Sequence, residues 1–75
     1  MESKQTLGEY RVGIGFNPSG DDTVSKIKRQ AADLIDLIDS IDGGTEVLEL
    51  KRAAMRKVEG AAMWAVKAAT KPERE

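Results

Sequence analysis

Neither cysteine nor histidine occurs among the 75 residues. The first absence rules out disulfides and thiolate metal sites. The second removes the commonest general base, the usual catalytic triads and every zinc site built on imidazole. Aromatic residues are scarce too, with one Tyr, one Trp and one Phe. No single sign of charge dominates: 12 Lys+Arg stand against 13 Asp+Glu, for a net charge of −1, so no field gathers a DNA or RNA polymer. No segment approaches the roughly 20 apolar residues of a membrane span, and Met1-Glu2-Ser3-Lys4-Gln5 lacks the apolar run of a signal peptide. The chain is therefore expected in the cytoplasm, away from membranes, as a non-enzymatic protein with no cofactor. A single domain of this size keeps only a few kcal/mol of net stability unaided, which leaves self-association as the way to add to it.

The pattern predicts an all-α fold, an antiparallel two-helix hairpin with a short extended N-terminal segment, assembled into a homo-oligomer. Residues 1–9 are polar and expected to fray. Over residues 10–22 an extended segment and turn are expected, because Tyr10, Val12, Ile14 and Phe16 fall at every second position with glycines between them. Asn17-Pro18-Ser19-Gly20 reads as a turn in which Gly20 supplies positive φ, and Asp21 or Asp22 caps the following helix. Helix one is expected over 23–42, where Val24, Ile27, Ala31, Leu34, Ile35, Ile38 and Ile41 recur at helical spacing. Its apolar arc, widened by Leu37, exceeds what one neighbouring helix covers, a second argument for oligomerisation. Gly43-Gly44 is read as a left-handed C-terminal cap and Thr45 as the next N-cap. An alanine-rich helix two is expected over 45–70, and 71–75 form a charged tail.

Folding the helices back about Gly43-Gly44 pairs residues whose numbers sum to about 87, at a rise of roughly 1.5 Å per residue in each. Val24 is then expected near Met63, and Lys28 near Glu59. The start of helix one and the end of helix two meet the segment that carries Tyr10 and Phe16, so all three aromatics can reach one region. Rings beside cations suit a ligand made of bases and phosphates, and the N–H groups that open helix one offer an anion site. Lys28 sits at the margin of the apolar stripe and Lys67 near Met63 and Trp64; each is open to a ligand role or to a solvated one, with the ammonium snorkelling to water. Trp64 and Phe16 have the core as their ordinary place, and Tyr10 is the best-placed ring. The carboxylates Asp33, Asp36, Asp39 and Asp42 lack the turn of a calcium loop, so no metal is expected. Gly13-Ile14-Gly15 lacks the rest of a phosphate loop.

Three stretches carry a resemblance: Phe16-Asn17-Pro18-Ser19-Gly20 with Val24-Ser25-Lys26-Ile27-Lys28, the Ala-Ala-Asp-Leu-Ile-Asp helix, and Glu59-Gly60-Ala61-Ala62-Met63-Trp64-Ala65-Val66-Lys67-Ala68. Across about residues 9 to 71 the chain resembles the bacteriophage anti-CBASS sponge proteins. The resemblance implies a small helical hairpin assembled into compact oligomers, often hexamers. It implies binding of cyclic dinucleotides such as cGAMP, and in some members cyclic trinucleotides at a second pocket, without cleavage, inside the infected bacterium. Carried over, Tyr10 would be the base-stacking aromatic, with Phe16 the alternative. Lys28 or Lys26 would contact phosphate, Asn17 and Ser19 would form the polar turn, and Lys67 would serve the larger cyclic ligand. A competing reading is a structural or regulatory hairpin that docks on a host protein through the same apolar arc.

Overall fold

The computed structural model describes residues 4–72. Of the frayed start expected over 1–9 and the charged tail expected over 71–75, residues 1–3 and 73–75 lie outside the described residues, and residues 7–9 are helical, against the expected fraying. Three helices make up the described chain: α1 (Leu7–Val12), α2 (Asp22–Asp39) and α3 (Thr45–Thr70). The hairpin of α2 and α3 matches the expected elements, with α3 bounded as anticipated.

The extended segment is not there. Tyr10, Val12 and their neighbours belong to α1, and the alternation that suggested a strand has another cause. Thr6 and Glu9 form a capping box: Thr6 Oγ1 accepts from the Glu9 N–H at 3.1 Å, and Glu9 Oε1 accepts from the Thr6 N–H at 2.9 Å. Gly13 closes the helix in the left-handed region, at φ 64°, which a glycine adopts without strain. A six-residue helix is unstable alone, so α1 must gain its stability by docking. Gly8 makes the docking close, since a Cβ there would lie 2.0 Å from the Ala32 carbonyl oxygen, and its N–H donates to Asp36 Oδ1 at 2.7 Å.

Around the second turn the expectations are corrected in detail. Helix α2 ends at Asp39, with Ser40 as a right-handed cap, before the anticipated Gly43-Gly44 stop. Lys51 of α3 supplies what a left-handed glycine would have: its Nζ donates to the Asp39 and Ile41 carbonyls at 2.7 and 2.6 Å, placing a cation at the negative end of α2. Neither Gly43 nor Gly44 has positive φ. Gly43 is needed for space, because a Cβ would meet the Val47 side chain at 2.6 Å. Gly44, not Thr45, is the N-cap of α3. At the other end Asp21 caps α2 as expected, accepting from the Thr23 N–H at 2.7 Å, and Gly20 has φ 65°.

Val24, Lys28, Ala32 and Ile35 form the buried stripe of α2, facing Met55 and Ala62 of α3. The Cα envelope measures 51 × 35 × 12 Å, a thin plate, and its radius of gyration is 14.2 Å where a compact chain of this length has about 11 Å. Much apolar surface therefore stays uncovered in the single chain, including Leu34, Leu37, Ile41 and Leu50. No helix among the described residues is long and apolar enough to cross a membrane.

Arg29 ties α1 to α2, donating to Glu9 at 2.8 Å and to Asp33 at 2.9 Å. Its guanidinium, followed by the Thr6 N–H, holds the Glu9 carboxyl below its ordinary value of 4.5. A carboxyl with a depressed folded value contributes stability above its unfolded value and loses it as pH falls through the folded one. The thermal midpoint of Glu9→Gln should accordingly lie below that of the wild type at pH 7, with the gap closing as the pH is taken below 4.5. A gap that stays constant from pH 7 to pH 3 would show that the carboxylate plays no part.

Candidate functional site

The site is built where α1, the start of α2 and the end of α3 converge. A cleft of about 420 Å³ opens between them, lined by Arg11, Val12, Lys28, Glu59, Met63 and Val66. A smaller hollow of about 190 Å³ lies beside it, lined among others by Phe16, Asn17, Ser19, Val24 and Thr70, and it shares Lys28 and Val66 with the cleft. Lys28 and Glu59 line the same cleft. Val24 shares the smaller hollow with Val66 and Thr70, whereas the Met63 expected beside it lines the cleft; α2 stops short and the connection is longer than a two-glycine turn. Arg11 and Glu59 join α1 to α3 at 3.1 Å, a link the sequence reading missed because nothing local announces it.

Lys28 is 8% exposed. Its Nζ donates to the Gly13 carbonyl at 3.0 Å and to the Phe16 carbonyl, and it stands 5.4 Å from the centroid of the Phe16 ring. The ammonium does not snorkel to water but is bonded to the backbone of the chain, and the side chain lines both cavities. Asn17 is equally occupied, its Nδ2 donating to the Asp21 carbonyl and to Ser25 Oγ at 3.0 Å each, while its Oδ1 accepts from Ser19 Oγ at 2.8 Å. Ser19 Oγ in turn accepts from the Asp21 N–H at 3.2 Å. These bonds define the turn that the Asn-Pro-Ser-Gly run suggested. They also fill the opening of α2: with Asp21 on the Thr23 N–H and Asp22 beside it, the expected anion site already carries carboxylates.

The remaining candidates stand at the surface. Tyr10, Phe16 and Trp64 are 74%, 71% and 68% exposed, so Phe16 and Trp64 are not core residues of the single chain. Lys26 makes an exposed i,i+4 pair with Asp22 at 3.0 Å. Lys67 lies 5.2 Å from the centroid of the Trp64 ring, a cation–π pair. Phe16, Asn17, Ser19 and Lys28 are brought together at the smaller hollow, whereas Tyr10, Lys26 and Lys67 line neither cavity. Three largely exposed rings are thus available for stacking, two of them, Phe16 and Trp64, with a lysine ammonium already over the ring.

Residues 9–70 match the family model described as Acb2/Tad1, hairpin domain. Neither the curated proteins nor the solved structures gave a match. The matched range takes in the body of the short first helix, the buckled turn and both arms of the hairpin, well over half the chain, and the chain therefore belongs to the Acb2/Tad1 family, the anti-CBASS sponges.

Proposed function

We propose that the protein binds cyclic oligonucleotide second messengers and holds them uncleaved, so that the CBASS signal fails to reach its effector in the cytoplasm of an infected bacterium. Cyclic dinucleotides such as cGAMP are the primary ligands and cyclic trinucleotides a second class. The observation that carries this reading is the thin plate that leaves all three rings and the α2 aliphatics uncovered. Several copies, a hexamer being the expected number, would close over the aliphatic face and leave crevices edged by rings and cations. Tyr10 stacks on a base. Lys26, whose existing partner is an exposed carboxylate, meets a phosphate at small cost, since such surface pairs contribute little. Lys67, already against Trp64, serves the larger ring.

Calorimetry with a panel of cyclic di- and trinucleotides tests this, followed by recovery of the ligand from heat-denatured protein. Binding heat and intact ligand are expected. Silence across the panel would remove the proposal, and cleaved product would turn the protein into an enzyme. The competing reading, docking on a host protein, draws on the same exposed Leu34, Leu37 and Ile41. Light scattering separates the two, because a stable homo-oligomer buries that face and a monomer leaves it for a partner.

A further inference from the structure

We propose that Lys28 is a positioning residue: it buckles the loop between α1 and α2 into the shape that presents the Phe16 ring, and it sets ligand affinity without itself meeting phosphate. The effect on affinity rests on the sponge reading above; the buckle does not. An ammonium has three donors. Two are committed to the Gly13 and Phe16 carbonyls, and the Phe16 ring lies within cation–π range of the same nitrogen. The Gly13 carbonyl also accepts from the Phe16 N–H at 2.9 Å, so one cation and one turn hydrogen bond pin the same four residues. Drawing Lys28 out to a phosphate would strip the Phe16 carbonyl of its partner, take one of two donors from the Gly13 carbonyl and leave a hole in the buried stripe between Val24 and Ala32. Such a move is unfavourable while Lys26 stands exposed two residues earlier. Asn17 secures the other half of the loop through Asp21, Ser25 and Ser19, so the turn is preformed and loses little further entropy when a ligand arrives.

The test is Lys28→Met, which keeps length and apolar stem and removes every donor. In ligand-free protein the amide of Phe16, which donates to the Gly13 carbonyl, should exchange with solvent roughly tenfold faster or more, while Gly20, held by the Asn17 half of the loop, and α3 stay unchanged. Affinity for cyclic GMP–AMP should fall by roughly fivefold, the loss expected for one net hydrogen bond, with its dependence on salt unaltered. Lys26→Met should instead flatten that dependence, as removal of a screened charge contact does. Unchanged exchange at Phe16 would overturn the buckle, and a flattened salt dependence in Lys28→Met would make Lys28 a phosphate contact. If wild-type protein binds no cyclic GMP–AMP, the sponge reading fails while the exchange measurement still decides the buckle. Should Lys28→Met lose the wild-type helical circular dichroism, nitrogen-15 NMR of the unmodified protein decides it: the Lys28 ammonium should be a slowly exchanging signal, unlike those of Lys26 and Lys67, and rapid exchange at Lys28 would refute the proposal.

Discussion

Gly8→Ala should undock α1 from α2. The added methyl would fall 2.0 Å from the Ala32 carbonyl oxygen and 2.8 Å from the Ala32 carbonyl carbon, both backbone atoms of a regular helix that cannot step aside. Separating the helices also stretches the 2.7 Å bond from the Gly8 N–H to Asp36. Overpacking of this kind costs about 1–3 kcal/mol, and an impaired hydrogen bond to a carboxylate adds to it. For a chain of this length the thermal midpoint should fall by on the order of 10–20 °C. Comparison at equal protein concentration is needed, since association would raise the midpoint by mass action. Gly60→Ala provides the contrast: a Cβ there meets nothing within 4 Å, and alanine gains about 1 kcal/mol over glycine inside a helix. The same chemical change should thus destabilise at one site and stabilise at the other. If Gly8→Ala melts with the wild type, α1 is not packed as described.

Tyr10→Ala should weaken binding of cyclic dinucleotides on the order of 10- to 100-fold while leaving the circular dichroism and thermal midpoint nearly unchanged. A base stacked on an aromatic contributes about 1–3 kcal/mol. The side chain is three-quarters solvent-exposed in the single chain, so its removal creates no cavity there. Phe16→Ala provides the discriminating arm, because that ring is equally exposed but lies over Lys28. A loss confined to Phe16→Ala would move the stacking role to that residue. Full-strength binding in both single variants and in the double variant would leave the sponge reading without its aromatic contact.

Helices α2 and α3 were legible because their apolar residues repeat at the helical period over many turns, a signal that survives ignorance of the partner. The Asn17–Gly20 turn and the Asp21 cap were legible for a different reason, since those side chains bond to their own backbone neighbours. Helix α1 is not legible in the same way. Its capping pair Thr6 and Glu9 is plain in the sequence, but alternating apolar residues from Tyr10 to Phe16 pointed the other way, and six residues hold no helix without a surface to rest on. The end of α2 is not legible because the donor that meets its last carbonyl, Lys51, comes from the facing helix.

For the candidate site the division is similar. Phe16, Asn17, Ser19 and Lys28 come together at one hollow, as their order along the chain suggests, but the hydrogen bonds they make there do not follow from that order. A lysine on an apolar stripe can reach water, a ligand or a carbonyl, and its position on the helical wheel is the same in all three cases. What selected the carbonyls was the reversal of the chain at Gly13, which turns two oxygens toward α2.

By itself the sequence determined the hairpin, the Asn17–Gly20 turn with its Asp21 cap, and the family, because these depend on periodicity and on contacts between residues close in the chain. Only the tertiary structure decided that Lys28 is a tie and not a free cation, that Gly8 is a point of contact, and that Arg11 joins Glu59. Each of those depends on two backbones approaching within a few ångströms across the fold, a distance fixed by packing and not written in the spacing of residues along either segment.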